Sequence, residues 1–320
     1  MEIIREIDNY VQNNQPLYLA LGNFDGVHRG HRYLISEVVK KARLHHGIAA
    51  AFIFEPHPLK ILNPAKAPKL LNITRRKTLL LEELGLDLLV YNSFSPEIAR
   101  WSPEQFVEKI LVDKFNAKEV FIGFNYSFGH KGAGNPQLLE NLGNQWGFKV
   151  NIILPVKIGE QTVSSTLIRS ALENGDINQA YTMLGYYPIL EGEVVEGEKR
   201  GRVIGFPTAN ITISPEVQTP GKGVYAALAV VDSEIHKCVV NIGNKPTFHD
   251  THPVTVEAHL IDFCQNIYGE WIELHFLQKI RDEKKFAGMD ELKIQIAQDR
   301  QRADLICAQF SLPLEKSRQC

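Results

Sequence analysis

The sequence predicts an α/β unit built on a parallel sheet, followed by a small antiparallel β-barrel or sandwich that ends in an α-helix. Three observations carry this expectation. Up to about residue 185, short apolar runs alternate with helix-like stretches, the pattern of a sheet covered on both faces. Beyond Tyr187-Pro188 the apolar runs follow one another with glycine, proline and aspartate between them and no helix-length insertion, which marks an all-β unit. At 320 residues the chain is also long for a single core, so two domains are expected, 1–185 and 186–320.

The elements can be justified in order. "LYLALG" (17–22), "IAAAFIF" (48–54), "DLLVYNSF" (87–94), "AKEVFIGF" (117–124) and "KVNIILPV" (149–156) are continuous apolar runs of strand length. Between them "RRKTLLLEELG", "SPEQFVEKILVDKF" and "NPQLLENLGNQWG" have helical spacing, the last with a glycine stop. "SSTLIRSALENG" starts on serine caps and stops at Asn174-Gly175. In the second half, "ILEGEVVEG", "TANITIS", "GVYAALAVVD", "HKCVVNIG", "VTVEAHLID" and "WIELHFLQKI" read as successive strands. A closing amphipathic helix over roughly 290–307 turns Leu292, Ile296, Ala303 and Ile306 to one side.

Bulk composition narrows the function classes. A formal charge of −2 gives no reason to expect nucleic acid or an anionic membrane surface as partner, so any bound anion must be held by local geometry. No stretch approaches a membrane span, and "MEIIREIDNYVQ" lacks the layout of a secretory signal. Four scattered cysteines suit reduced thiols in a cytoplasm better than disulfides or a zinc site. The chain is expected to be a monomer or to self-associate weakly.

The segment "LGNFDGVHRGH" (21–31) lies where a strand gives way to a helix. Gly22, Gly26 and Gly30 allow a sharp turn and close approach of a ligand. The next helix offers its amides and positive dipole end, and His28 and His31 share one face of its first turn. Two imidazoles beside phosphate oxygens can stabilise charge on a leaving pyrophosphate. The same HxxH pair also suits a zinc ligand pair or a plain surface helix start, although no third ligand accompanies it. Asp25 is equally a metal or ribose contact and a turn former before glycine. "FEPHP" (54–58), "GFNYSFGHKGAG" (123–134) and "VSSTLIRSAL" (163–172) follow three other strands, where open α/β sheets place ligands. Each loop alone is a turn or a cap; four at one end of a sheet point to a binding site.

In the second half, strand alternation turns Thr208 and Asn210 of "FPTANITIS" to one side, offering hard neutral oxygens suited to Mg²⁺. The bland reading is an edge strand with incidental polar residues. In "VTVEAHLIDF" the residues Thr255, Glu257 and His259 share a face. Glu257 is either a solvent-facing carboxylate or a general base for a primary hydroxyl, and His259 is expected to be a solvated strand residue.

Taken in order, "GNFDGVHRGH", "FEPHP", "GFNYSFG" and "SSTLIR" resemble the adenylyltransferase module of bacterial bifunctional riboflavin kinase/FAD synthetases. "GRVIGFPTANI", "GVYAA", "NIGNKPTF", "VEAHLIDF" and "FLQKIRDEKKF" resemble the kinase module of the same family, so the resemblance spans nearly the whole chain. It implies a Rossmann-like nucleotidylyltransferase domain, a riboflavin-kinase barrel, and synthesis of FMN and then FAD from riboflavin with two ATP and Mg²⁺. It further implies that Gly22, Asn23, Phe24, Asp25, Gly26, His28, His31, Asn125, Ser164, Ser165, Thr166 and Arg169 surround one ATP. Phe54, Pro56, Pro58 and Phe128 would border the flavin there. In the kinase module it implies an ATP turn over Gly201, Gly205 and Pro207, Mg²⁺ on Thr208 and Asn210, and Glu257 as the base. Arg281 and its neighbours would lie near the flavin or in a mobile loop. "LGYYP" and "GHKGAG" depart from the usual pattern at the domain boundary and in the glycine-rich loop.

Overall fold

A computed structural model describes residues 1–197, 205–244 and 254–310. The chain divides into two compact units, Met1–Ser165 and Thr166–Cys320.

The first unit is built on six strands: β1 (Glu2–Arg5), β2 (Leu17–Leu21), β3 (Ile48–Phe54), β4 (Leu88–Asn92), β5 (Ala117–Gly123) and β6 (Lys149–Ile153). They form one sheet in the order β1-β4-β3-β2-β5-β6, and every pair is parallel. Every residue of β2 and β4 is buried, which is why these strands read as unbroken apolar runs rather than alternating ones. Helices α1 (Arg29–Leu44), α2 (Pro58–Leu62), α3 (Thr74–Glu83), α4 (Pro103–Phe106) and α5 (Pro136–Trp146) connect them. In α1 the buried side is Leu34, Ile35, Val38 and Ala42, a helical stripe facing the sheet. Asn135 caps α5 by accepting from the Leu138 amide, and Gly147 ends it at φ 84°.

The strand order explains where the loops gather. From β2 the chain adds β3 and β4 on one side; β5 and β6 lie on the other. The winding reverses between β2 and β5, and loops leaving the carboxyl ends of those strands diverge and leave a crevice. "GNFDGVHRGH" leaves β2, "EPHP" leaves β3 and "FNYSFG" leaves β5.

Two features differ from the sequence reading. β1 is a short edge strand whose side chains are mostly exposed, so it carries no apolar run to betray it. A small hairpin, β7 (Lys157–Ile158) with β8 (Gln161–Thr162), carries the chain from β6 toward Ser164.

Helices α6 (Ser165–Glu173) and α7 (Ile177–Leu184) come next, with left-handed glycines Gly175 and Gly185 at their ends. Then β9 (Ile189–Val195), β10 (Ala209–Thr212), β11 (Gly223–Val231), β12 (Glu234–Asn244), β13 (Val254–Leu260) and β14 (Trp271–Arg281) close into a barrel. The order is β10-β13-β12-β11-β14-β9, with β9 pairing back onto β10 and every pair antiparallel. A barrel, not a sandwich, is therefore the outcome, and closure pairs every strand on both sides.

Ala227, Val240, Ala258, Leu274 and Phe276 are each fully buried in the barrel. Helix α8 (Met289–Cys307) covers part of the outer wall, burying Ala303 and Cys307 against Val224, Ala226, Leu228 and Ile280. Leu292, Ile296 and Ile306 lie on the same side, half-buried, as the spacing requires.

Candidate active sites

In the first unit, the β2–α1 loop makes its turn with Phe24 (φ 48°), Gly26 (φ 79°) and Val27 (φ 34°) in the left-handed region. Holding Phe24 and Val27 there costs energy, and burial of both side chains offsets it. A Cβ on Gly22 would lie 3.1 Å from the Phe24 ring, so a larger residue there would push that buried ring aside. The loop delivers His28 to the N-cap of α1, where its Nδ1 accepts from the His31 amide at 3.3 Å. With Nδ1 accepting, the proton of a neutral His28 sits on Nε2, leaving that atom as a donor.

The two imidazoles stack, with ring centroids 3.6 Å apart and planes 15° apart, and the Phe24 ring meets His31 edge-on. Burial, the adjacent His28 and the Lys77 ammonium hold the His31 imidazole well below its ordinary pKa, so it is neutral at pH 7. Its Nδ1 is buried and has no hydrogen-bond partner among the described residues. A buried polar atom of this kind is costly in a purely structural residue.

Asp25 is buried, and its Oδ1 accepts from the Leu71 amide at 2.9 Å. Ser165 Oγ donates to the Asp25 carbonyl at 2.9 Å, so the segment after β8 is tied to the β2–α1 loop. Asn23 Nδ2 lies 3.1 Å from His57 Nε2, which joins that loop to "EPHP".

Sequence reasoning missed the basic residues of α3. The spacing of "RRKTLLLEELG" marks only a helix and gives no sign that its basic residues are buried, yet Arg76 is 2% and Lys77 7% exposed. Burial lowers the Lys77 pKa, while Asp25 and Glu55 oppose that shift. Thr74 Oγ1 donates to the Glu55 carboxylate, so this helix packs its first turn onto the loop after β3. The missing signal was tertiary: the carboxylates that make burial of Lys77 tolerable come from two other loops.

Other expected residues fall in different settings. Phe54 is half-buried and meets Phe94 edge-on at 5.1 Å, Pro56 is exposed, and Pro58 opens α2. Phe128 is buried in the core against Phe106 at 5.6 Å, whereas Phe124 and Asn125 of the same loop are exposed. Ser164 is half-buried and Thr166 exposed; Arg169 lies on α6 in the second unit.

In the second unit the barrel register assembles the polar residues. Glu257 on β13 lies opposite Asn210 on β10 and, on its other side, opposite Asn241 on β12. Directly opposed residues bring Cβ atoms to about 5 Å, so the three side chains form one row. Alternation buries Val256 and Ala258 and leaves Thr255, Glu257 and His259 half-buried on the other face. Asn210 is half-buried beside its buried neighbours Ala209 and Ile211. Gly197 leaves room for it: a Cβ there would fall 2.0 Å from Asn210 Nδ2. Thr208 is half-buried, while Gly205 and Pro207 are exposed. Gly201 lies outside the described residues.

Two residues have settings that sequence reasoning did not foresee. His259 is not a free strand residue, since its Nδ1 lies 2.8 Å from the Pro207 carbonyl and its ring meets Phe206 edge-on. Burial lowers its pKa. It thus fixes the chain just ahead of Thr208. Arg281 bonds the Asp299 carboxylate of α8 through Nε (3.0 Å) and Nη2 (2.8 Å), which anchors the helix to the barrel. Along the register, Val224 faces both Asn241 and Arg281, placing Arg281 in the same row as Glu257, three strands away.

Comparison with known proteins bears on the two units as follows. The family described as FAD synthetase matches residues 10–167, and the family described as riboflavin kinase matches residues 184–307. A Haemophilus influenzae bifunctional riboflavin kinase/FMN adenylyltransferase is 38% identical, over 95% of this chain and 98% of its own. The Bacillus subtilis protein of the same description is 37% identical, over 89% and 90%. A solved Streptococcus pneumoniae structure described as a macrolide-efflux protein has a TM-score of 0.86 at 29% identity, covering 94% of this chain and 98% of that one. Among the described residues of this chain no helix is long and apolar enough to cross a membrane. Two family matches in tandem and relatives aligned over almost their full length settle the assignment: the chain belongs to the bifunctional riboflavin kinase/FMN adenylyltransferase family.

Proposed function

We propose that the barrel transfers a phosphoryl group from ATP to riboflavin, giving FMN, and that the parallel-sheet unit adenylylates FMN with a second ATP, giving FAD and pyrophosphate. The observation that carries this reading is that each chemistry has its own set of convergent residues on its own scaffold. The histidine pair lies at the β2–α1 turn of the sheet, and the Asn210–Glu257 pair lies on the barrel wall.

In adenylyl transfer the nucleophile belongs to the substrate. A phosphate oxygen of FMN attacks the α-phosphorus of ATP, and the bond to pyrophosphate breaks. The protein positions the reactants and neutralises charge. His28, donating from Nε2, and neutral His31 hold the phosphates, with Gly22 to Gly26 allowing close approach. Asn125 and the Ser164–Arg169 segment assist in holding the triphosphate. Phe54, Pro56, Pro58 and Phe128 are assigned to the flavin side, where Phe128 acts from the core as support for the loop.

In phosphoryl transfer the Glu257 carboxylate takes the proton of the riboflavin 5′-hydroxyl as that oxygen attacks the γ-phosphorus of ATP, and the bond from the γ-phosphorus to the bridging oxygen breaks so that ADP leaves. The oxygens of Thr208 and Asn210 suit Mg²⁺, a hard cation that keeps phosphate and water as its other ligands. When bound, Mg²⁺ supplies charge neutralisation on the ATP phosphates. Gly201 and Gly205 are assigned to the nucleotide turn. Arg281, engaged with Asp299, is assigned to the flavin end of the row.

The functional division is assigned near residue 185, at the end of α7. The reading is of a cytoplasmic enzyme acting on small molecules. Incubating the purified chain with riboflavin, ATP and Mg²⁺ and separating the flavins by chromatography tests it. FMN followed by FAD is the expected product sequence, and unchanged riboflavin contradicts the reading.

A further inference from the structure

Glu257 has an amide residue opposite it on both sides, Asn210 on β10 and Asn241 on β12. Asn210 is claimed by the metal and nucleotide, but Asn241 has no role in the reading above. Several observations distinguish it from an incidental strand residue. It is half-buried, although a strand asparagine with no partner favours solvent. Its own neighbours along the outer face are Val239, which packs toward the α8 contact, and Gly243, which has no side chain. Gly243 is a bare spot beside the amide: a Cβ there would stand 3.8 Å from Asn241 Nδ2 and 2.3 Å from Glu283 Oε1. The glycine therefore admits a second carboxylate, Glu283, to the space beside the Asn241 amide. Across the strand on the far side stands the apolar Val224, so the polar side chains that flank Asn241 are Glu257, opposite it on β13, and Glu283, beside Gly243. A primary amide has two N–H donors and can serve two carboxylates at once.

We propose that Asn241 is a positioning residue for phosphoryl transfer, its amide holding the Glu257 carboxylate aligned on the riboflavin hydroxyl from the side opposite to Asn210. The inference rests on the assignment of Glu257 as the base. A carboxylate free to rotate about its last torsions presents the wrong oxygen much of the time, so loss of the amide acts on kcat rather than on ATP binding.

The test compares Asn241→Ala and Asn241→Asp with Glu257→Gln in the full-length chain, reading FMN formation across pH, with thermal unfolding of the chain as the check of folding. Asn241→Ala is expected to lower kcat for FMN formation on the order of tenfold to a hundredfold, with KM for ATP nearly unchanged. Asn241→Asp sets a like charge opposite Glu257 and is expected to move the acidic limb of the pH–rate profile upward. A merely structural role for Asn241 would lower the melting temperature and leave kcat of folded Asn241→Ala at the wild-type value. Wild-type kcat in Asn241→Ala, with Glu257→Gln inactive, would overturn this inference alone. Full activity in Glu257→Gln would overturn the assignment of the base and this inference with it.

Discussion

Asn210 and Glu257 face each other across β10 and β13, with the chain ahead of Thr208 held by the bond between His259 and the Pro207 carbonyl. Antiparallel pairing sets this relationship. A slip of β10 by one residue would turn Asn210 into the barrel, where Ala209 now packs, and part it from Glu257. The site is therefore specified by the same apolar alternation that specifies the core.

If Asn210 helps hold Mg²⁺, then Asn210→Ala raises the Mg²⁺ concentration required for half-maximal FMN formation by about tenfold. FAD formation from FMN keeps its Mg²⁺ dependence. Titrating Mg²⁺ in the two assays with one protein preparation checks both halves of the expectation.

The His31 imidazole is depressed by burial, by His28 and by Lys77. The unfolded chain takes up this proton near pH 6.5 and the native chain only at lower pH, so the unfolded state binds more protons in between. Stability is expected to fall as pH drops below about 6.5, by at most about 1.4 kcal/mol per pH unit for this one group. His31→Gln should show a flatter dependence between about pH 7.5 and 5 when urea unfolding is compared with wild type. Lys77→Met should raise the His31 pKa, read directly from its ring-proton chemical shift.

Asp299 is buried in α8, and the Arg281 side chain is 22% exposed, so the pair is partly desolvated. Asp299→Asn leaves a guanidinium facing a neutral amide and should destabilise the second unit by about 2 kcal/mol, near the low end for buried pairs. Denaturant unfolding followed by Trp271 fluorescence in a background with Trp101 and Trp146 replaced by Phe measures it. Asp299→Ala should cost at least as much.

Much of this was legible in the sequence, for identifiable reasons. Strands buried on both faces, such as β2 and β4, stand out as unbroken apolar runs, and the barrel strands show alternation. The histidine pair was legible because its glycines and the following helical pattern lie within a single segment. What stayed hidden depended on distant partners. The burial of Lys77 depends on Asp25 and Glu55, and the fixed ring of His259 depends on Pro207. The partner of Arg281 lies on a helix that sequence patterning reads only for its apolar side. Past α4, Val107–Lys114 winds more widely, with the Phe115 amide reaching the Ile110 carbonyl, a one-residue shift that apolar spacing does not reveal.

The central claim is that two reactions run on two separate sets of residues, and one experiment addresses it directly. Wild type, Glu257→Gln and His31→Ala are each supplied with ATP and Mg²⁺ and with either riboflavin or FMN, and the flavins are resolved by chromatography. The account predicts that Glu257→Gln loses FMN formation by on the order of a hundredfold or more while still converting FMN to FAD. His31→Ala should accumulate FMN and lose FAD formation on the order of a hundredfold. Loss of both reactions in either folded variant would contradict it.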